Sequence, residues 1–302
     1  MSAADKVLKE IVTDLESVLN KCGVMYHVFF RAKSEFSIKN KLEKKAETYK
    51  AEGKKMQDLL ALRITLYFTD DVELVYDYLK NQPNFVSESV DTAEVDKFCP
   101  KRLNLVMRVP ETLKSDIRVA INNTEFPDLI DDTYEIQIRT ILSEGWHEVE
   151  HDLRYKTKFE SWWQYCDVES RMLNGIYATL ETSERAMNQV FSSIAYKNYR
   201  NKEWDAMLRN HLRLHTIDLH LSANITKALN EDTELTKRLF RIERKDVIDS
   251  LLKLGTAFPL KMDNLVFLIN RLLANPSEAL KQMENRVIKD LLDKKIETIK
   301  KR

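Results

Sequence analysis

The stretch from Thr133 to Lys156 carries the polar groups best arranged for chemistry. Apolar residues at 134, 136 and 138 alternate with Glu135, Gln137 and Arg139. A period of two predicts a strand with one apolar face and one polar face. A carboxylate, an amide and a guanidinium on one face can bind a substrate, hold a metal ion or accept a proton. We therefore expect a functional site on the polar face of this strand.

Helical spacing follows this strand directly. Apolar residues recur every three or four positions at Ile141, Leu142, Trp146, Val149 and Leu153. The predicted helix contains His147, Glu148 and His151 in the pattern H-E-x-x-H, which on one helix face can hold zinc and activate a water. A zinc site needs a third protein ligand, and no nearby residue stands out as one. The alternative is that both histidines are ordinary helix residues beside the site on the strand.

A basic segment near the start of the chain follows a predicted first strand, Val24 to Phe30. Cations and hydroxyl groups come next, and a helix is predicted to begin near Ser37. Amides at a helix start, together with Arg31 and Lys33, would bind a polyphosphate. By composition alone, a solvated basic helix start explains the same residues.

A second strand is predicted from the alternation of apolar residues between Leu62 and Phe68. Asp58 lies at its head, where its carboxylate would sit at the edge of a sheet. Aspartate is also common in the turns that lead into strands, so this residue alone does not define a site.

Taken in this order, the three segments resemble the RelA/SpoT synthetase domain of alarmone synthetases. The matching positions are Arg31, Lys33, Ser37, Ile38 and Lys41 in R-x-K-x-x-x-S-I-x-x-K, then Asp58, then E-I-Q-I-R-T from Glu135 to Thr140, and finally Trp146, Glu150, His151, Tyr155 and Lys156. The resemblance covers residues 24–191 and implies transfer of pyrophosphate from ATP to the 3′-hydroxyl of GTP or GDP, forming (p)ppGpp. It also implies that Asp58 and Glu135 are catalytic and bind Mg²⁺, and that ATP contacts Arg31, Lys33, Ser37, Lys41 and Arg63.

The segment from Cys99 to Asn104 departs from the family. Pro100 stands where the family has a tyrosine that stacks on guanine, and Asn104 stands where it has a histidine. Proline offers no aromatic face. The acceptor site expected from the resemblance consists of Lys101, Arg102, Asn104, Gln137 and Arg139. The acceptor could therefore be a guanosine nucleotide, an adenosine nucleotide or a tRNA 3′ end, or activity could be lost and only nucleotide or partner binding remain.

The predicted fold is α+β, a mixed sheet of about five strands flanked by helices. The resemblance implies that this architecture is related to that of nucleotidyltransferases. Further strands are predicted at 85–91 and 103–109, and the alternation of Ile117, Val119 and Ile121 allows another. Residues 1–158 are expected to form the synthetase core, and residues 159–302 a helical extension whose first helices pack on that core. The apolar stripes of the extension predict an assembly or regulatory surface, so we expect a homo-oligomer.

Bulk composition limits the range of partners. Lys plus Arg and Asp plus Glu both number 48, so the net charge is zero and a basic site must be local. The three cysteines are far apart, which is typical of reduced thiols in the cytoplasm. No stretch is apolar enough for a signal peptide or a membrane span, so a cytoplasmic protein without membrane contact is expected.

Overall fold

The computed structural model describes residues 2–90, 103–155, 160–255 and 258–300. The chain divides into two compact units. The first comprises Met1–Leu15 with Tyr26–Arg185, and the second Glu16–Met25 with Ala186–Arg302. The predicted domain boundary between residues 158 and 159 remains a prediction.

The first unit is built on a mixed sheet. Its strands are β1 Tyr26–Ala32, β2 Leu60–Leu66, β3 Phe85–Val90, β4 Leu103–Arg108 and β5 Thr133–Thr140. Their order is β1-β2-β5-β4-β3, and β2 and β5 are parallel while the other neighbours are antiparallel. The predicted mixed sheet with flanking helices is confirmed. The central strand β5 alternates as expected, with Tyr134, Ile136 and Ile138 buried.

Six longer helices begin in the described part of the first unit. They are α1 Ala3–Cys22, α2 Glu35–Lys44, α3 Thr69–Lys80, α4 Lys114–Asn122, α5 Ile141–Glu150 and α6 Asp167–Arg200. A π-helical turn, His151–Tyr155, extends α5. Short 3₁₀ turns cover Glu111–Leu113, Pro127–Leu129 and Glu160–Trp163. Helix α2 begins where the Ser34 side chain accepts a hydrogen bond from the Ser37 amide, so the amides of its first turn lie next to the end of β1.

Helix α4 corrects the strand allowed at Ile117, Val119 and Ile121. Ile117 and Ile121 are buried one helical turn apart, whereas Val119 is 52% exposed. Alternating residues fit either a strand or one face of a helix when the run is this short. Burial of Ile117 and Ile121, four positions apart, with Val119 between them in solvent, is the pattern of a helix.

In the described ranges, the second unit consists of helices joined by loops and contains no strand. Its helices are α7 Trp204–Leu212, α8 Ala223–Glu231, α9 Thr233–Phe240, α10 Arg244–Leu254, α11 Met262–Leu272, α12 Glu278–Met283 and α13 Arg286–Lys300. Within the described ranges, every helix is too short or too polar to span a lipid bilayer.

Two predicted helices of this unit are shorter than expected. The helical spacing of apolar residues from Leu208 to Ala223 predicts one helix, but α7 ends at Leu212, because Arg213 adopts a left-handed conformation with φ 51° that closes the helix. The sequence from Glu278 to Lys300 likewise predicts a single last helix, but the structure interrupts it at Glu284. There the carboxylate of Glu284 accepts two hydrogen bonds from Arg271, at 2.8 and 2.5 Å.

Candidate active site

Asp58 binds two lysines at one edge of the sheet. Lys33 lies just after β1, Lys41 projects from α2, and Asp58 immediately precedes β2. Asp58 Oδ2 lies 3.2 Å from Lys33 Nζ and 2.5 Å from Lys41 Nζ. The Asp58 side chain is only 14% exposed. The basic segment and the aspartate, predicted separately, therefore form one cluster.

The charges of this cluster stabilise each other. Burial alone would raise the pKa of Asp58, but the Lys33 charge and the Lys41 hydrogen bond bring that pKa below its usual value. Burial alone would lower the pKa of Lys41, but Asp58, helped by the more distant charge of Glu135, raises it. Asp58 is therefore ionised and Lys41 is charged at neutral pH.

Glu135 lies on the same strand face as Gln137, in a row of polar side chains that crosses the sheet. The Asn104 amide on β4 donates to Glu135 Oε1 at 3.0 Å, and the Gln137 amide donates to the same oxygen at 2.9 Å. Gln137 Oε1 in turn accepts from Arg63 Nε at 3.1 Å. This row follows from the register, which places Arg63 and Asn104 opposite Gln137 on the two neighbouring strands.

Two glutamates of α5 hold Arg63 from the other side. Arg63 Nη1 donates hydrogen bonds to Glu144 Oε1 and to Glu148 Oε1. Glu144 Oε2 also lies 3.6 Å from Arg139 Nε. Burial, opposed by the charge of Glu144, lowers the pKa of Arg139. Sequence reasoning missed Glu144 as a site residue, and it considered Glu148 only as part of the H-E-x-x-H alternative. Their spacing of one helical turn beside a cation-bearing strand was the available signal.

A cavity of about 290 Å³ opens beside Arg63. It combines aromatic and aliphatic walls with two guanidinium groups and two carboxylates. Its lining is Phe29, Phe30, Arg31, Ala61, Leu62, Arg63, Gln137, Glu144, Glu148 and His151. Such a mixture of flat apolar surface and a few polar groups is typical of small-molecule sites.

A second cavity, of about 300 Å³, lies at the end of β5 and includes Arg139 and Glu184. The Thr140 hydroxyl donates to Glu184 Oε1. Burial raises the pKa of Glu184 above its usual value. Arg139 is therefore placed by the structure between Glu144 and this cavity, further along β5 than Glu135 and Gln137.

The remaining predicted site residues fall into three groups. Arg31 lines the first cavity. Ser37 lies in the first turn of α2, and its hydroxyl is 3.0 Å from that of Ser34. Lys101 and Arg102 lie outside the described residues, as do Cys99 and Pro100, so the structure leaves their predicted role as a prediction.

The donor chemistry of the site fits a magnesium ion. Asp58 Oδ1 is buried and has no hydrogen-bond partner, although Oδ2 has two lysines. Magnesium prefers one or two carboxylates and completes its shell with water and phosphate oxygens. Asp58 lies just before β2 and Glu135 lies on the neighbouring strand β5, and the charges of both carboxylates act on Lys41.

The H-E-x-x-H residues are arranged differently from a zinc site. The rings of His147 and His151 stack with centroids 5.2 Å apart, and Glu148 binds Arg63. Burial, followed by the charge of Arg139, lowers the pKa of His147 to about 4. Within the ranges that the structure describes, no three His, Cys, Asp or Glu side chains are grouped to hold a metal ion.

Residues 30–160 match the family model described as "Region found in RelA / SpoT proteins". Over this segment, which is less than half of the chain, the sequence is similar to the RelA/SpoT region, as the resemblance predicted. All three motifs lie within the matched residues.

Solved structures of similar proteins include small alarmone synthetase 1 from Bacillus subtilis bound to its product pppGpp. That protein is 22% identical, and the match covers 64% of this chain and 94% of that one with a TM-score of 0.49. The same synthetase in another crystal structure matches with 22% identity, 62% and 92% coverage and a TM-score of 0.45. A GTP pyrophosphokinase family protein from Streptococcus pneumoniae is 21% identical, and the match covers 62% of this chain and 88% of that one with a TM-score of 0.45. A comparison with curated protein sequences finds no match.

Proposed function

We propose that the protein transfers pyrophosphate from ATP to the 3′-hydroxyl of a nucleotide acceptor. The observation that carries the proposal is the cluster of Asp58 with Lys33 and Lys41 just before β2, together with Glu135 on the neighbouring strand β5, whose charge acts on Lys41. Cations suit a polyphosphate, and ionised carboxylates suit a divalent ion and a proton transfer.

The ATP is expected to extend from the cluster of Lys33 and Lys41 to the cavity beside Arg31 and Arg63. Lys33 and Lys41 are compact point charges and suit the phosphates, with the amides of the first turn of α2 nearby. The cavity beside Arg31 and Arg63 suits the adenosine, because guanidinium planes and aromatic rings both stack on bases. This division assigns a polyphosphate half and a base half to one binding site.

The reaction requires a nucleophile, a proton acceptor and a leaving group. The acceptor's 3′ oxygen attacks the β-phosphorus of ATP, and the bond from that phosphorus to the α–β bridging oxygen breaks. AMP leaves, and the β- and γ-phosphoryl groups remain on the 3′ oxygen. Glu135 accepts the proton of the attacking hydroxyl, and Asn104 and Gln137 hold its carboxylate in place.

The lysines contribute charge neutralisation and position. Phosphoryl transfer depends mainly on these two effects. Lys33 and Lys41 are already fixed by Asp58, so little reorganisation is needed when the donor binds. Mg²⁺, held by Asp58 and Glu135, would add further positive charge at the phosphate oxygens.

The acceptor site lies on the β4 side of Glu135, where Asn104 is located. Guanosine nucleotides are the acceptors implied by the family, but Pro100 and Asn104 replace the family's tyrosine and histidine. We therefore keep an adenosine nucleotide and a tRNA 3′ end as alternative acceptors. Lys101 and Arg102 would suit the additional phosphates of a tRNA end.

The deciding experiment uses ATP labelled on the γ-phosphate with four acceptors offered separately: GTP, GDP, ATP and bulk tRNA. Chromatography then shows which acceptor carries the label. Transfer to any acceptor, with AMP formed in equal amount, supports the proposed reaction. Pyrophosphate transfer to none of them, from protein that binds ATP, would instead support a binding module without catalysis.

The same preparation tests the zinc hydrolase alternative. Zinc bound in one-to-one ratio and lost in a His147→Ala variant would favour that alternative. Under the proposed function, His147→Ala leaves the bound metal content unchanged.

A further inference from the structure

We propose that Glu144 is a positioning residue that holds the guanidinium of Arg63 at the adenosine half of the ATP site. The inference rests on the proposed function, because it assigns a role within that site. The inference adds Glu144 to the proposed ATP site. This residue lies outside the sequence motifs and is expected to make no contact with the phosphates.

Three acceptors fix the Arg63 guanidinium. Gln137 Oε1 accepts from Nε at 3.1 Å, and Glu144 Oε1 and Glu148 Oε1 both accept from Nη1. Contacts on two sides of a planar group fix its plane as well as its position. That plane borders the cavity of about 290 Å³. A base stacking there would meet an arginine that is already ordered.

The two glutamates differ in how strongly they can hold Arg63. The Glu144 side chain is 9% exposed, whereas that of Glu148 is 51% exposed. Water screens an exposed ion pair and leaves it worth little, while a buried pair is screened much less. Glu144 is therefore the main restraint, and Glu148 serves as a matched comparison one helical turn away.

Helix α5 determines where Glu144 points. Thr140 caps this helix, its hydroxyl accepting from the Ser143 amide at 3.2 Å. The cap fixes the first turn directly after β5, and Glu144 belongs to that turn. Since β5 pairs with β2 in parallel, this turn is held against the strand that carries Arg63.

Glu144 also faces a second guanidinium, and this offers a competing explanation. Its Oε2 lies 3.6 Å from Nε of Arg139, whose side chain is 7% exposed and whose Nη1 has no hydrogen-bond partner. Glu144 could thus matter only because it neutralises a buried arginine. A useful experiment must separate this structural role from the positioning of Arg63.

The experiment measures binding of Mg²⁺–ATP and of inorganic tripolyphosphate by calorimetric titration, without acceptor. The proteins are wild type, Glu144→Gln, Glu148→Gln and the double variant Glu144→Gln/Arg139→Gln. We expect Glu144→Gln to weaken ATP binding by about tenfold or more, the effect of losing one charge-assisted contact. Tripolyphosphate, which lacks the adenosine, should bind all four proteins within about twofold. Glu148→Gln should weaken ATP binding less than Glu144→Gln does, because the Glu148 carboxylate is screened by water.

The double variant decides between the two roles. It removes Arg139 together with its counter-charge, so neutralisation is no longer needed. If Glu144 positions Arg63, the double variant keeps the weak ATP binding of Glu144→Gln. Should Glu144→Gln fail to fold, as circular dichroism would reveal, the charge-balanced double variant carries the same test.

Three results would overturn the inference while leaving the proposed function intact. They are normal ATP binding by Glu144→Gln, equal weakening of ATP and tripolyphosphate, and normal ATP binding by the double variant. If the wild-type protein fails to bind ATP, the proposed function is overturned and the positioning role falls with it.

Discussion

Asp58 organises the charges of the site at the scale of single residues. It brings together two lysines that come from different elements, and it has one buried oxygen left without a partner. The sequence could indicate each of the three residues through its motif. It could not indicate that they bind each other, because that contact depends on where α2 lies relative to the start of β2.

Replacing either carboxylate should remove activity without unfolding the chain. We expect Asp58→Asn and Glu135→Gln to lower pyrophosphate transfer by at least about 100-fold, since each change removes charge where phosphate charge is neutralised. The measurement is turnover of labelled ATP, with thermal unfolding recorded in parallel. Glu125→Gln, at a glutamate 61% exposed, is the control and should keep wild-type turnover. Wild-type turnover by either site variant would show that its carboxylate has no catalytic role.

His147 should make stability depend on pH. Its pKa is lowered to about 4 in the folded protein, against 6.5 ordinarily. The unfolded chain therefore takes up the proton first. Stability linked to this residue is complete above pH 6.5 and falls as the pH drops from 6.5 toward 4. We expect thermal unfolding of His147→Gln to shift less between pH 7 and pH 5 than that of wild type. Equal shifts in the two proteins would contradict the lowered pKa.

At the scale of elements, helices and strands with a regular local pattern were predictable from the sequence. Elements whose type or end depends on tertiary contacts were not. The apolar stripe between Ala3 and Cys22 predicts a helix with the bounds of α1, and the alternation at residues 134–139 lies within β5, because each pattern is long or strictly alternating. The helix α4 and the end of α7 at Leu212 were missed. A short alternating run fits two structures, and a left-handed residue such as Arg213 has no clear signature in sequence.

The end of α1 depends on a glycine that tolerates no side chain. Gly23 has φ +68°, and an added Cβ would lie 2.4 Å from Leu260 Cδ2 and 3.0 Å from the His215 carbonyl oxygen. Its own carbonyl accepts from the His215 amide at 2.7 Å, so the backbone cannot easily move. Backbone strain and overpacking together should lower the free energy of unfolding of Gly23→Ala by about 2–4 kcal/mol.

Chemical denaturation with urea measures this effect, and Gly175→Ala is the matched control. Nothing lies within 4 Å of a Cβ placed at Gly175, which is within α6. Alanine there should leave the free energy of unfolding unchanged or raise it by up to about 1 kcal/mol, because glycine is a poor helix former. A Gly23→Ala protein as stable as wild type would mean that the left-handed junction is not required.

At the scale of the whole molecule, every residue assigned to the proposed reaction that the structure describes belongs to the first unit. The second unit supplies helices with apolar residues in solvent. Val190 and Ile194 lie one turn apart on the part of α6 in this unit and are 55% and 37% exposed. Neighbouring exposed apolar residues on one helix face mark a surface that another chain can cover.

We therefore predict that the protein assembles through the second unit. Light scattering after size exclusion should give a mass of two or more chains, and the double variant Val190→Glu/Ile194→Glu should give a smaller species, because a buried unpaired charge disfavours the interface. Ile217→Glu is the control: Ile217 is 71% exposed in the same unit but lies outside the helices, so the mass should stay that of wild type. A strict monomer across the concentration range would leave the apolar face of α6 without a second chain to cover it and would contradict the predicted assembly.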